Sequence, residues 1–104
     1  MAYSSFEDLE VWKRACKLAL RMYDVLKNCQ DYGLRDQITR SAVSIASNIA
    51  EGAERDSKAE FIRFLHIAKG SAAELRTQIY IASEIGLLNE ELKNEMVKEL
   101  TTIS

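Results

Sequence analysis

Proline is absent from the 104-residue chain and glycine occurs only four times, against ordinary usage of about 5% and 7%. A chain so poor in turn formers cannot supply the many tight turns of a sandwich or barrel, which excludes an all-β fold. Cysteine is scarce as well. Cys16 and Cys29 are too few for a disulfide framework and lack the Cys-x-x-Cys spacing of metal and redox sites. No apolar run approaches the roughly 20 residues needed to span a bilayer. Neither sign of charge dominates: 14 Lys and Arg stand against 16 Asp and Glu, for a net charge of -2 and a pI near 5.4. That balance argues against a surface built throughout to grip phosphate backbones, and leaves room for a local basic patch. The opening stretch from Met1 to Asp8 is acidic where a secretory leader is basic and then apolar. A cytoplasmic location, with no membrane partner, is the expectation.

The length suits one domain covering 1–104, with a self-sufficient but thin core. Four stretches carry helical periodicity, at about 6–28, 34–53, 58–85 and 90–102. In the first, Leu9, Trp12, Cys16, Ala19, Tyr23 and Leu26 recur at steps of 3 and 4. A second seam, Val11, Ala15, Leu18, Met22 and Val25, runs beside it. At about 100° per residue the two seams cover roughly 160° of the helix, wider than the stripe a simple surface helix needs. This helix is expected to be covered on two sides. Ser5, with Asp8 three residues on, imitates a capping box at its start.

The second helix carries Leu34, Ile38, Ala42, Ile45 and Ile49 flanked by small residues, which suits a central position where backbones approach closely. Ser57-Lys58-Ala59-Glu60 is a capping box for the third. Its seam runs Phe61, Leu65, Ala68, Ala72, Leu75, Ile79 and Ala82. Gly86 followed by Leu87 is a left-handed stop with its hydrophobic clasp, and Asn89 caps a short fourth helix. Short connections favour antiparallel neighbours. The expected fold is all-α, an antiparallel up-and-down four-helix bundle.

An enzyme needs a nucleophile with its base, a carboxylate pair or a metal set. Di-iron bundles use Glu-x-x-His, but the residue three before the lone His66 is Arg63. The glycines are too scattered for a phosphate loop, and His66 reads as a packing or surface residue. No catalytic residue, cofactor site or metal site is assigned.

Two polar patterns remain. On the second helix Gln37, Arg40, Ser44, Asn48 and Glu51 share one face, and on the third Ser71, Glu74 and Gln78 form a similar line. These are short amides and hydroxyls rather than the long charged side chains that coat a solvated face. The expectation is a partly buried network, with Arg40 held by Glu74 or Glu51, that fixes register or subunit geometry. On the first helix Lys13, Arg14, Lys17 and Arg21 form a basic stripe, with Glu10 and Asp24 at its ends. It is either an ordinary solvated face with i,i+4 pairs or a phosphate-contacting strip if an oligomer repeats it.

Five segments carry a resemblance: FEDLEVW at 6–12, YGLRDQITR at 32–40, SAVSIASNIAEG at 41–52, EFIRFL at 60–65, and AKGS at 68–71 with Glu74 and Thr77. In these the chain resembles the four-helix-bundle proteins of the 23S rRNA intervening-sequence group. The family pattern often has Pro where this chain has Ala46, and Ala where it has Ser41. The resemblance implies an up-down bundle that assembles into a homopentameric barrel with a central channel. It also implies kinship with the accessory proteins of diversity-generating retroelements, which bind a reverse transcriptase and nucleic acid through a basic surface. The net acidity of this chain departs from that subgroup. The reading is a non-enzymatic homo-oligomeric scaffold or adaptor in a nucleoprotein context, partnered by itself and by RNA or a nucleic-acid enzyme. Direct RNA binding through the basic stripe, and an enzyme with a polar channel site around Arg40 and Glu74, stand as alternatives.

Overall fold

Local capping chemistry sets where each helix begins in the computed structural model, which describes residues 5–103. Residues 1–4, part of the stretch read for a leader pattern, and residue 104 lie outside the described residues. Ser5 caps a 3-10 turn, Phe6–Asp8, and not a long helix. Its hydroxyl accepts from the Glu7 amide and donates to the Glu7 carboxylate, both at 3.0 Å, so the reciprocating side chain is Glu7. Leu9 is then extended, and α1 runs Glu10–Val25. The expected helix over 6–28 is therefore shorter at both ends. Folding Phe6 back edge-on to Trp12, with ring centroids 5.3 Å apart, requires the chain to turn before the helix starts.

Asp31 accepts a hydrogen bond from the Leu34 amide at 3.1 Å, so α2 spans Tyr32–Ala53 and opens two residues earlier than expected. Ser57 accepts from the Glu60 amide at 3.1 Å and starts α3, Lys58–Glu84. Only half of that capping box forms, because the Glu60 carboxylate turns to Arg63 at 2.7 Å. At the far end Gly86 takes a φ of +86°. The Gly86 amide bonds the Ser83 carbonyl at 3.1 Å and the Leu87 amide bonds the Ala82 carbonyl at 2.8 Å, which satisfies the last turn. The Asn89 side chain accepts from the Leu92 amide at 2.8 Å and caps α4, Glu90–Ile103.

The fold is an all-α, up-and-down four-helix bundle. Contact is most extensive between α2 and α3; α1 packs on α2, and α4 bridges α3 and α1. The bundle measures 44 × 20 × 18 Å, a length set by α3 at about 1.5 Å per residue. Met22, Leu26, Ile38, Ile45, Ile49, Leu75, Ile79, Met96 and Leu100 are fully buried. Each such side chain contributes about 1.5–3 kcal/mol relative to exposure. On α1 the seam through Ala15, Leu18 and Met22 enters this core, whereas Trp12 and Cys16 are only half-buried and Tyr23 is exposed. On α3 it is Phe64, not Phe61, that is buried. The last turn of α2 meets Phe64 directly, because Gly52 leaves no room for a side chain: a Cβ there would lie 2.6 Å from the Phe64 Cβ.

Candidate functional site

The polar strip of α2 and α3 condenses to three residues. The Ser44 and Ser71 hydroxyls share a hydrogen bond of 2.9 Å between the helices. The Asn48 amide donates to the Ser44 carbonyl at 2.8 Å and to its hydroxyl at 3.0 Å. These three residues form a part-buried polar link between the two helices. Its outer members do not join. Glu51 pairs with Arg55 at 3.0 Å, one turn along its own helix, and not with Arg40. Gln37, Arg40 and Glu74 are exposed, and Arg40 and Glu74 make no ion pair among the described residues. The reason is rotational: Arg40 and Glu74 lie outside the α2–α3 contact, where side chains extend into water.

The basic stripe is no better isolated. Arg14 pairs with Glu10 at 3.9 Å, and Arg21 with Asp24 at 3.8 Å and Glu95 at 3.4 Å. The stripe lines a shallow groove against α4 that also carries Glu99. Lys13, Arg14, Lys17 and Arg21 are thus interleaved with Glu10, Asp24, Glu95 and Glu99, four charges of each sign. Two of those carboxylates, Glu95 and Glu99, come from α4.

An apolar outer surface lies elsewhere. Between α1 and α2 runs a depression of about 490 Å³, lined chiefly by Trp12, Cys16, Leu20, Tyr23, Val43 and Ala46. Leu20 is 70% exposed and Tyr23 55%. Burial pushes the Cys16 thiol pKa up. A second apolar surface follows α3, where Ile67, Ile81 and Ile85 are exposed.

A profile of the 23S rRNA-intervening sequence protein family matches residues 7–104. The chain belongs to this family. Among solved structures, it resembles a protein of unknown function from the S23 ribosomal protein family of Bacteroides thetaiotaomicron VPI-5482, with 29% identity. The TM-score is 0.82, and the match covers 89% of this chain and 90% of that one. No curated protein matches.

His66 is exposed at the mouth of a cleft of about 390 Å³ whose floor includes Ile45 and Ile49. No group of three or more His, Cys, Asp or Glu among the described residues could hold a metal ion. No helix among them is long and apolar enough to cross a membrane. The Glu60 carboxyl is held below its usual range, first by the hydrogen bond from Arg63 and then by nearby guanidinium charge. Sequence reasoning overlooked Leu20, Val43, Ile67, Ile81 and Ile85. The available signal was an apolar residue on a helix face otherwise assigned to water.

Proposed function

We propose that this family member is a non-enzymatic, self-assembling helical scaffold or adaptor, working in a cytoplasmic nucleoprotein context, with a pentameric ring as its assembled form. The observation that carries the reading is the exposed apolar depression between α1 and α2, where Leu20, Tyr23 and Val43 stand in water in the single chain. Contiguous apolar patches of this kind mark interaction sites. The nucleoprotein context rests on the family's association with 23S rRNA intervening sequences. The interleaved carboxylates of the α1–α4 groove favour contact through the assembly over direct RNA binding by the stripe.

Size-exclusion chromatography with light scattering tests this reading. The wild-type chain elutes as an oligomer, while Leu20→Glu with Val43→Glu elutes at the monomer mass with an unchanged helical spectrum. A wild-type monomer at every concentration overturns the proposal. In an RNA shift assay at low salt, a complex that Lys13→Glu with Lys17→Glu abolishes would instead favour the stripe. Its affinity would fall steeply with added salt.

A further inference from the structure

We infer that the cleft between α1 and α3 is a binding site for an alkyl carboxylate, with the chain in the aliphatic hollow and the head group on Lys69 and His66. The hollow follows from helix length. α1 and α3 stand diagonally across the bundle, so the space between them is closed only where α4 lies over it. α4 has 14 residues against the 27 of α3, about 21 Å against about 40 Å. It ends at Ile103, which forms one wall of the cleft. Beyond that point the fourth corner of the bundle is vacant among the described residues. Small side chains deepen the gap: Ala68 and Ala72 line it on α3, whereas the same seam further on carries Leu75 and Ile79. The cleft measures about 390 Å³, within the range of small-molecule sites. Its floor reaches the core at Ile45 and Ile49, each only 1% exposed.

The lining selects the class of ligand. Val11, Ile45, Ile49, Leu65 and Ile103 are all aliphatic, and among the described residues no aromatic, hydroxyl or amide side chain joins them. A flat heterocycle finds no ring to stack on, and a sugar finds no side chain to pair its hydroxyls in the hollow. Only His66 and Lys69 are polar. Both are exposed and stand three residues apart, about one turn of α3, at the mouth. The Lys69 ammonium makes no ion pair among the described residues, and no Asp or Glu among them lines the cleft. Lys69 therefore presents three donors and its charge to a ligand, and the His66 imidazole donates an N–H in either protonation state. A carboxylate there gains charge-assisted hydrogen bonds while its chain leaves water. A cation is repelled, and a plain hydrocarbon leaves both donors unused. The cleft shares no lining residue with the α1–α2 depression, so the inference stands apart from self-assembly and neither falls with the other.

Titrating sodium butanoate, hexanoate and octanoate into the methyl-labelled wild-type chain, followed by NMR, tests the inference. The expected result is saturable shifts of the Ile45, Ile49 and Ile103 methyl resonances. Affinity should rise about fourfold per added methylene until the hollow is full. Lys69→Gln should weaken octanoate binding about two- to fivefold, the range for a solvent-exposed ion pair, and leave the binding of 1-octanol unchanged. Ala68→Leu fills the hollow from its α3 wall and should flatten the dependence on chain length. Circular dichroism checks that this variant folds; if it does not, the comparison at exposed Lys69 carries the test. No saturable shift, an affinity indifferent to chain length, or shifts confined to the Leu20 and Val43 methyls of the depression would overturn the inference. Equal losses for octanoate and 1-octanol in the Lys69→Gln chain would contradict Lys69 as the partner of the head group.

Discussion

Replacing Gly52 by alanine sets two effects against each other at the junction of α2 and α3. In a helix, alanine is favoured over glycine by about 0.8–1.0 kcal/mol. Against this, the added Cβ would lie 2.6 Å from the Phe64 Cβ and 3.3 Å from the Phe61 carbonyl oxygen. Neither atom is the far end of a flexible side chain. The Phe64 ring is also contacted by two guanidinium groups, Arg55 at 4.9 Å and Arg63 at 4.5 Å from its centroid. The clash is relieved only by moving one helix. Overpacking of this kind costs about 1–3 kcal/mol, which outweighs a propensity gain already diminished at the last turn of α2. The net expectation is a loss of about 1–2 kcal/mol, lowering the melting temperature by about 5–15 °C for a domain of this size. Gly70→Ala is the matched control, because a Cβ there meets nothing; it should raise the melting temperature by about 4–8 °C. Both substitutions are best made in the chain carrying Leu20→Glu and Val43→Glu, since oligomers melt in a concentration-dependent way. A Gly52→Ala chain that melts at or above its parent would refute the packing argument.

Ser44→Ala and Ser71→Ala should each cost about 1 kcal/mol by removing the hydrogen bond the two hydroxyls share, Ser71→Ala leaving Ser44 with its Asn48 donor alone, and the double variant should cost clearly less than the sum. Denaturant unfolding of all four chains checks this; strict additivity would mean that the 2.9 Å contact carries no coupling. Asn89→Ala removes the α4 cap and should cost about 1 kcal/mol, with hydrogen exchange quickening first at the Leu92 amide. Glu60 should titrate below the ordinary glutamate range, because Arg63 donates a hydrogen bond to its ionised form. The sign follows from linkage: the contact supports the fold above the ordinary carboxylate pKa and is lost as pH falls through the lowered value. Carboxyl NMR should show Arg63→Gln returning Glu60 to the ordinary range; no movement would remove Arg63 as the cause.

Fold class was legible because absence and periodicity agreed. A chain without proline and with four periodic stretches has one economical solution, and the caps at Ser57, Gly86 and Asn89 lie where the residues suggested. The start of α1 was misread because a serine followed by acidic residues serves a 3-10 turn as readily as a helix, and only the Phe6–Trp12 contact distinguishes them. Phe61 and Phe64 could not be ranked from spacing, since the choice depends on where Gly52 of another helix arrives. The polar strip was half legible. Ser44, Asn48 and Ser71 lie at the helix contact, whereas Arg40 and Glu74 lie just outside it, a rotation too fine to read from a pattern of threes and fours. Likewise the charge of the α1 stripe depends on α4, 74 residues away at Arg21 and Glu95.

Central to the account is that the apolar surface left bare on the single chain is covered by further copies of it. Sedimentation equilibrium of the intact chain at low micromolar concentration measures this directly. A mass several times the 11.8 kDa of one chain, falling toward that value only on strong dilution, is the predicted result. A mass of one chain throughout, independent of concentration, would contradict it.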